Sequence, residues 1–259
     1  GRMTGISFGI IDLYGRDHGW FFADKARVRW IMQSALKRIP VTGSTYACME
    51  DFLTFCRKEE MVTGAYDDRI PEILFLLEGA VSSSLKTENV NGKVRIYPSY
   101  LWEAEESITK NISKLMRKTS DFISADKIDN EIRNEKELDE DQKQCYRMFA
   151  KIGTCIMTGG PGTGKTTTIK KLISFFQFRM PEFTYALCAP TGRAAERITE
   201  ATGIKASTIH KLLEYSSLYG QEAGPERNAS NPLSYDLVVA DEFSMVGTQL
   251  FSQLLEAMK

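Results

Sequence analysis

Residues Gly159, Gly160, Pro161, Gly162, Thr163, Gly164, Lys165 and Thr166 fit the spacing G-x-x-x-x-G-K-[ST] at every fixed position. This run constrains the fold more than any other part of the chain. Glycines let a loop turn tightly enough for successive N–H groups to converge on an anion. A helix beginning near Lys165 adds its positive end to the same point. The Lys165 ammonium suits the outer phosphates of a nucleotide, and the Thr166 hydroxyl suits Mg²⁺. The flanks agree: an apolar run at 154–158 reads as a strand, and 165–178 reads as an amphipathic helix.

A second acidic motif completes the chemistry. Leu237, Val238, Val239 and Ala240 read as an apolar strand ending in Asp241 and Glu242. In an open α/β sheet, ligands sit beyond the carboxyl ends of the strands. Asp241 is thereby expected beside the metal, and Glu242 is expected to orient and deprotonate an attacking water. A carboxylate after Asp241 favours hydrolysis over phosphoryl transfer to a small acceptor, which needs no hydrolytic base.

The rest of the chain organises around this centre. Helices are expected over 24–39, with Val28, Ile31, Met32, Ala35 and Ile39 at helical spacing, over 48–59, and over 68–80, with Pro71 in the first turn. Asn91-Gly92 between 85–90 and 93–97 marks a two-residue β-hairpin. Helices followed by a hairpin suggest a small, mostly helical, winged-helix-like domain over 1–120, closed by a helix from 100 to about 118. Residues 121–137 read as a polar linker with broken helix. From 138 to 259, helices (139–151, 192–201, 207–214, 248–258) alternate with strands (184–189, 237–240), and a polar loop covers 216–233. That alternation predicts an α/β domain with a parallel sheet.

Composition excludes other classes. The net charge of −1 argues against a polycation that binds nucleic acid by bulk charge. No apolar run reaches the ~20 residues that span a bilayer. Five cysteines without a CxxC pair, and only His18 and His210, make a zinc site a poor fit. The chain reads as a reduced, intracellular, cytoplasmic protein, with a monomer favoured.

Beyond the spacing itself, the run Met157–Thr168 resembles motif I of RecD/TraA-type DNA helicases of superfamily 1, and Ala189–Arg197 is similar to their motif Ia. Ala206–Leu213 is similar to the following "TIH" element. Asn231–Leu233 and Asp241–Val246 resemble the approach to motif II and motif II itself, and Leu138–Gln142 resembles the adenine-reading Q motif. Arg95–Glu105 is similar to the segment closing the helical N-terminal region of the long, stand-alone RecD-like subgroup. The resemblance is strong over 138–258 and weaker over 20–118.

It implies a RecA-like motor domain 1A that uses ATP and Mg²⁺ and moves 5′ to 3′ on single-stranded DNA or DNA with a 5′ single-stranded tail. Gln142 would bond adenine. Gly160, Pro161, Gly162, Thr163, Gly164, Lys165, Thr166 and Thr167 would hold phosphates, with Thr166 and Asp241 at the metal. Lys165, Asp241 and Glu242 would be the catalytic set. Pro190, Thr191, Gly192, Arg193, Thr208 and His210 would line the DNA path. Gly247 departs from the acidic residue usual after "SMV". The chain stops at Lys259 without the second motor domain, its expected partner, so a fragment of a longer helicase, poorly active by itself, is expected.

On the residues alone, another P-loop NTPase or kinase, or a non-hydrolysing nucleotide- or DNA-binding module, stays open. Lys110, Lys114, Arg117 and Lys118 form a basic helix stripe, and Arg27, Arg29, Lys37 and Arg38 flank Trp30. Such stripes are ordinarily solvated faces. Phe175, Phe176 and Phe178 are expected in the core.

Overall fold

In the computed structural model, the described residues are 17–18, 25–63, 84–117, 125–133, 138–160, 162–218 and 221–258. The helix expected over 68–80 lies outside them, as do Pro161, Lys118 and the side chains of Arg27, Arg29, Trp30 and Arg117. The chain divides into two units, Gly1–Glu103 and Ala104–Lys259.

In the first unit, α1 (Lys25–Arg38) and α2 (Met49–Thr63) follow the apolar period read from the sequence. Ile31, Met32 and Ala35 on one helix, Ile39 just past its end, and Phe52 and Cys56 on the other are buried in a shared core. A short β1 (Ala47–Cys48) and the hairpin β2 (Leu85–Val90) and β3 (Lys93–Pro98) form an antiparallel sheet in the order β1-β3-β2. Val90 pairs with Lys93, and Asn91 and Gly92 both take positive φ (54° and 79°). That combination is the two-residue turn whose twist matches the strands. Leu85 and Ile96 bring the hairpin into the helical core. The division between units falls within α3 (Ser99–Arg117).

The second unit is the α/β domain expected from the alternation. Helices α4 (Ala125–Ile132), α5 (Glu140–Ile152) and α6 (Lys165–Arg179) precede β4 (Tyr185–Ala189). Then come α7 (Gly192–Thr202), β5 (Ala206–Thr208), α8 (Ile209–Leu212), β6 (Tyr215–Leu218), β7 (Gln221–Pro225), β8 (Leu237–Ala240) and α9 (Thr248–Glu256). The sheet is parallel, in the order β5-β4-β8.

Its side chains alternate, as a strand's period of two requires. Leu187 and Ala189, with Leu237, face a core made with Leu172, Ile173 and Phe176 of α6, Ala194 and Ile198 of α7, and Tyr146 and Phe149 of α5. Ala186 and Cys188 face a second core, with Ile209, Leu212, Leu233 and Leu254. A strand apolar on both faces is what a sheet covered by helices on both sides demands.

Three expectations are corrected, and the broken helix expected within the linker is located. Residues 154–158 pair with no strand among the described residues, and Ile156 is 89% exposed. β4 takes both of its partners, β5 and β8, from later in the chain. The polar stretch 216–233 is not all loop: β6 and β7 form an antiparallel hairpin, whose serine- and glycine-rich strands lack the apolar alternation that signals one. Residues 125–132, within the expected linker, form a helix that buries Ile128 and Ile132 in the α5–α6 core. Its Asp129 accepts from Arg147 Nε at 2.6 Å. Finally, the three phenylalanines of α6 divide. Phe176 is 1% exposed and Phe175 half-buried, but Phe178 is 87% exposed because position 178 turns away from the core.

That division gives a stability contrast. Phe176→Ala is expected to cost about 3–5 kcal/mol in urea unfolding, whereas Phe178→Ala is expected to stay within about 0.5 kcal/mol. Cys188 supplies a pH signature. Burial pushes its thiol up to about 12 from an ordinary 9.0. The folded state therefore holds this proton more tightly than the unfolded chain, and the contribution is complete below pH 9 and lost as pH rises toward 12. Unfolding free energy measured across that window should fall less steeply in Cys188→Ala than in the parent.

Candidate functional site

The phosphate loop is built by backbone conformation before any side chain acts. Gly162 and Gly164 take φ of 77° and 78°, a region open to glycine at little cost. A Cβ on Gly159 would lie 2.7 Å from Thr163 Oγ1, and one on Gly164 would lie 2.6 Å from Gln142 Nε2. Thr163 Oγ1 donates to Gly160 O at 3.0 Å, which closes the loop on itself. Lys165 folds back over it, its ammonium donating to Gly159 O (2.6 Å) and Gly160 O (2.7 Å).

Gly164 caps α6, whose first turn carries no acidic residue, so nothing local offsets its positive end. Lys165 and Thr166 are half-buried and Thr167 is exposed. Thr168 is buried, its hydroxyl donating to Gly164 O at 3.0 Å.

Gln142 is brought to this loop. Asp139 caps α5 by accepting from Gln142 N–H at 2.7 Å, and Gln142 Oε1 accepts from Asp139 N–H at 3.3 Å. This is a reciprocal capping box. The other end of the same carboxamide, Nε2, donates to Thr163 O at 3.3 Å. The sequence reading missed Asp139, although the D-x-x-Q spacing ahead of a helix carries that signal. It also left Gly159 out of the site, although its carbonyl takes the Lys165 ammonium. Lys143 and Arg147 hold α5 from behind, the first on Glu140 (3.1 Å), the second on Asp129 and Glu140. The hydrogen bond from Lys143 holds the Glu140 carboxyl below its ordinary range.

The acidic pair sits at the end of β8. Asp241 N–H donates to Cys188 O at 3.0 Å, extending the β4–β8 pairing by one step. Asp241 is half-buried and Glu242 exposed. Glu242 adopts φ 51°, ψ 38°, a left-handed conformation that costs a non-glycine residue about 1–2 kcal/mol. Asp241 Oδ1 helps hold it there by accepting from Glu242 N–H at 2.8 Å. Strain of this kind gathers at working sites. Among the described residues, no hydrogen bond joins the acidic pair to the phosphate loop.

The remaining candidates lie at two helix starts. Pro190 is half-buried at the exit of β4. Thr191 caps α7, accepting from Ala194 N–H at 3.2 Å, and exposed Gly192 and Arg193 open that helix. Thr208 caps the one-turn α8 by accepting from Lys211 N–H at 3.1 Å. His210 is exposed, its ring 5.0 Å from that of Tyr215. Lys110 and Lys114 are also exposed.

Residues 142–259 match the AAA domain family. The ATP-dependent RecD2 DNA helicase of Deinococcus radiodurans is 36% identical over 167 residues, covering 64% of this chain and 22% of the relative. The RecBCD enzyme subunit RecD of Mycolicibacterium smegmatis is 34% identical over 145 residues, covering 46% and 25%. That of Haemophilus influenzae is 32% identical over 185 residues, covering 61% and 28%. The chain thus spans less than a third of the length of these relatives. The likeness to the AAA domain family thus begins at Gln142, and the chain is similar to RecD-type helicase subunits over about half to two thirds of its own length.

Proposed function

We propose that this chain supplies the N-terminal region and first motor domain of an ATP-dependent DNA helicase or translocase, moving 5′ to 3′ on single-stranded DNA or DNA with a 5′ single-stranded tail. The division proposed is a helical region over 1–120, a connection over 121–137 and the motor from 138. The observation carrying this reading is the loop of left-handed glycines and Lys165 at a helix start that has no acidic residue, in the same domain as Asp241 and the strained Glu242 just past the end of a parallel strand. The action would take place in a reducing cytoplasm, with a second motor domain as intramolecular partner. No described helix is long and apolar enough to cross a membrane.

Each residue then has a task. The loop amides from Gly160 to Thr167, Pro161 excepted for want of an N–H, bind phosphate oxygens, and Lys165 leaves its two carbonyls to meet them. Gln142 turns its carboxamide from Thr163 O to the edge of adenine. Glu242 orients a water and takes its proton as the water attacks the outer phosphorus.

Mg²⁺ fits the donors present, which are the Thr166 hydroxyl and the Asp241 carboxylate. Both offer hard oxygen, and no cluster of three or more metal-binding side chains occurs among the described residues. That suits an ion held by one or two protein oxygens plus phosphates. When bound, it would neutralise charge developing on the phosphates. Along the DNA path, the N-termini of α7 and α8, with Pro190, Thr191, Gly192, Arg193, Thr208 and His210, would meet the strand. The amides bind phosphates and Arg193 adds a fork of donors.

Single-stranded DNA should stimulate ATP turnover in the complete enzyme; turnover indifferent to DNA but dependent on a small phosphoryl acceptor would overturn the proposal. Lys165→Ala should lower DNA-stimulated turnover by about 10²–10³-fold, as loss of a single charge-stabilising group does, with an unchanged circular dichroism spectrum. Glu242→Gln should cut hydrolysis by about 10²–10⁴-fold while leaving Mg-ATP affinity, read by fluorescence titration, within about twofold of the parent, because the carboxylate acts on water rather than on the nucleotide.

A further inference from the structure

Glu242 keeps its place against an intrinsic preference. Its φ of 51° and ψ of 38° lie in a region that side chains other than glycine leave unless the surroundings hold them there. Part of the hold is local. Asp241 Oδ1 accepts from Glu242 N–H, and Glu242 O accepts from Met245 N–H at 3.0 Å. Phe243 O accepts from Val246 N–H at 3.0 Å, which closes one short 3-10 turn, Phe243–Met245. These bonds lie within 241–246, so they set the shape of the turn. Its direction is set by what the turn is fastened to. On one side that is the sheet, through Asp241 N–H on Cys188 O. On the other it is α9, through a pair of rings.

The Phe243 and Phe251 rings have centroids 4.7 Å apart and stand at 84° to one another. In this edge-to-face arrangement the positive edge of one ring meets the negative face of the other. Phe243 is 38% exposed, so burial in a core does not account for its position. Nor is Phe251 a core residue. Leu250 and Leu254 of α9, with Ala257 just past its end, pack into the core that holds Cys188. Phe251 lies one residue, about 100°, round the helix from Leu250. It is half-buried and belongs to neither core of the second unit.

α9 is a firm support for that ring. Tyr215 of β6 donates its hydroxyl proton to Gln253 Oε1 at 2.5 Å, and Leu233 N–H donates to Ala257 O at 2.8 Å. Ser107, on the part of α3 within the second unit, donates to Glu256 Oε1 at 2.5 Å. Three segments distant in sequence thus fasten one nine-residue helix.

We propose that Phe251 is a positioning residue for hydrolysis: through Phe243, its ring keeps Glu242 in the left-handed turn from which the carboxylate orients the water. This rests on the role of Glu242 given above. In that step the water's proton passes to the Glu242 carboxylate and its oxygen bonds the outer phosphorus. The bond from that phosphorus to the bridging oxygen breaks, and its electron pair leaves with the diphosphate. Phe251 acts on none of these atoms directly. It supplies direction, and a base displaced by about 1 Å can lose on the order of 10²-fold in rate.

The test compares Phe251→Leu, which keeps an apolar, helix-favouring side chain without the ring, with Phe251→Tyr, which keeps the ring. In the complete enzyme with single-stranded DNA, Phe251→Leu should lower kcat about tenfold and leave KM for ATP within about twofold. Phe251→Tyr should restore kcat to within about twofold of the parent. In a Glu242→Gln background, Phe251→Leu should cost nothing further, because the base it positions is already gone. An equal loss in both backgrounds, a loss confined to KM, or a parental kcat in Phe251→Leu would overturn the proposal.

A second measurement is independent of turnover: hydrogen–deuterium exchange of the 259-residue chain, read by mass spectrometry. Amides of 242–246 should exchange about tenfold faster in Phe251→Leu than in the parent or Phe251→Tyr, with those of β4 unchanged. Unaltered exchange over 242–246, or acceleration that includes β4, would also overturn it. If Glu242→Gln hydrolysed ATP at the parental rate, the reading of Glu242 as the base would fall, and the exchange pattern would still decide whether the ring holds the turn.

Discussion

The parallel pairing of β4 with β8 is the contact on which the second unit rests. Four residue pairs, from Tyr185 with Leu237 to Cys188 with Ala240, set the register. That register sends Leu187 and Leu237 to one core and Cys188 and Ala240 to the other. Each large apolar side chain so buried contributes about 1.5–3 kcal/mol. The same register fixes where the strand ends and Asp241 begins, because Asp241 N–H is the next rung on Cys188 O. A slip of one residue would exchange the faces of every side chain on β8. Core packing and the placement of the acidic pair are therefore set by one ladder.

Much of this was legible in the sequence. Period-four apolar spacing located α1 and α2, Asn91-Gly92 located the hairpin, and the glycine–lysine spacing located the loop at the start of α6. Patterns failed where the deciding contact is remote. The run 154–158 is apolar at its centre, yet among the described residues no strand pairs with it and Ile156 faces solvent. The β6–β7 hairpin carries no alternation to betray it. Phe178 shows a finer limit. Residue type gave the right answer for Phe176, but only helix phase separates the two positions.

At the site, backbone shape carries more than side-chain inventory. The left-handed turn at Glu242, the tight approach of Gly159 to Thr163 and the contact of Gly164 with Gln142 are invisible to residue type alone. Gln142 is the clearest case. One end of its carboxamide completes the cap of α5 while the other braces the phosphate loop, so two elements distant in sequence share a single planar group. Reading the residue only as a base contact misses that it joins the start of α5 to the phosphate loop.

Lys165 has a consequence of its own. Its ammonium donates to the Gly159 and Gly160 carbonyls. An arriving anion does not meet a vacant cation; it must win an exchange in which two existing bonds are surrendered. The net gain from that lysine is smaller than its charge suggests, because the two carbonyl bonds must be given up first. The ammonium thus acts as a placeholder, keeping the cradle open in the shape its guest requires.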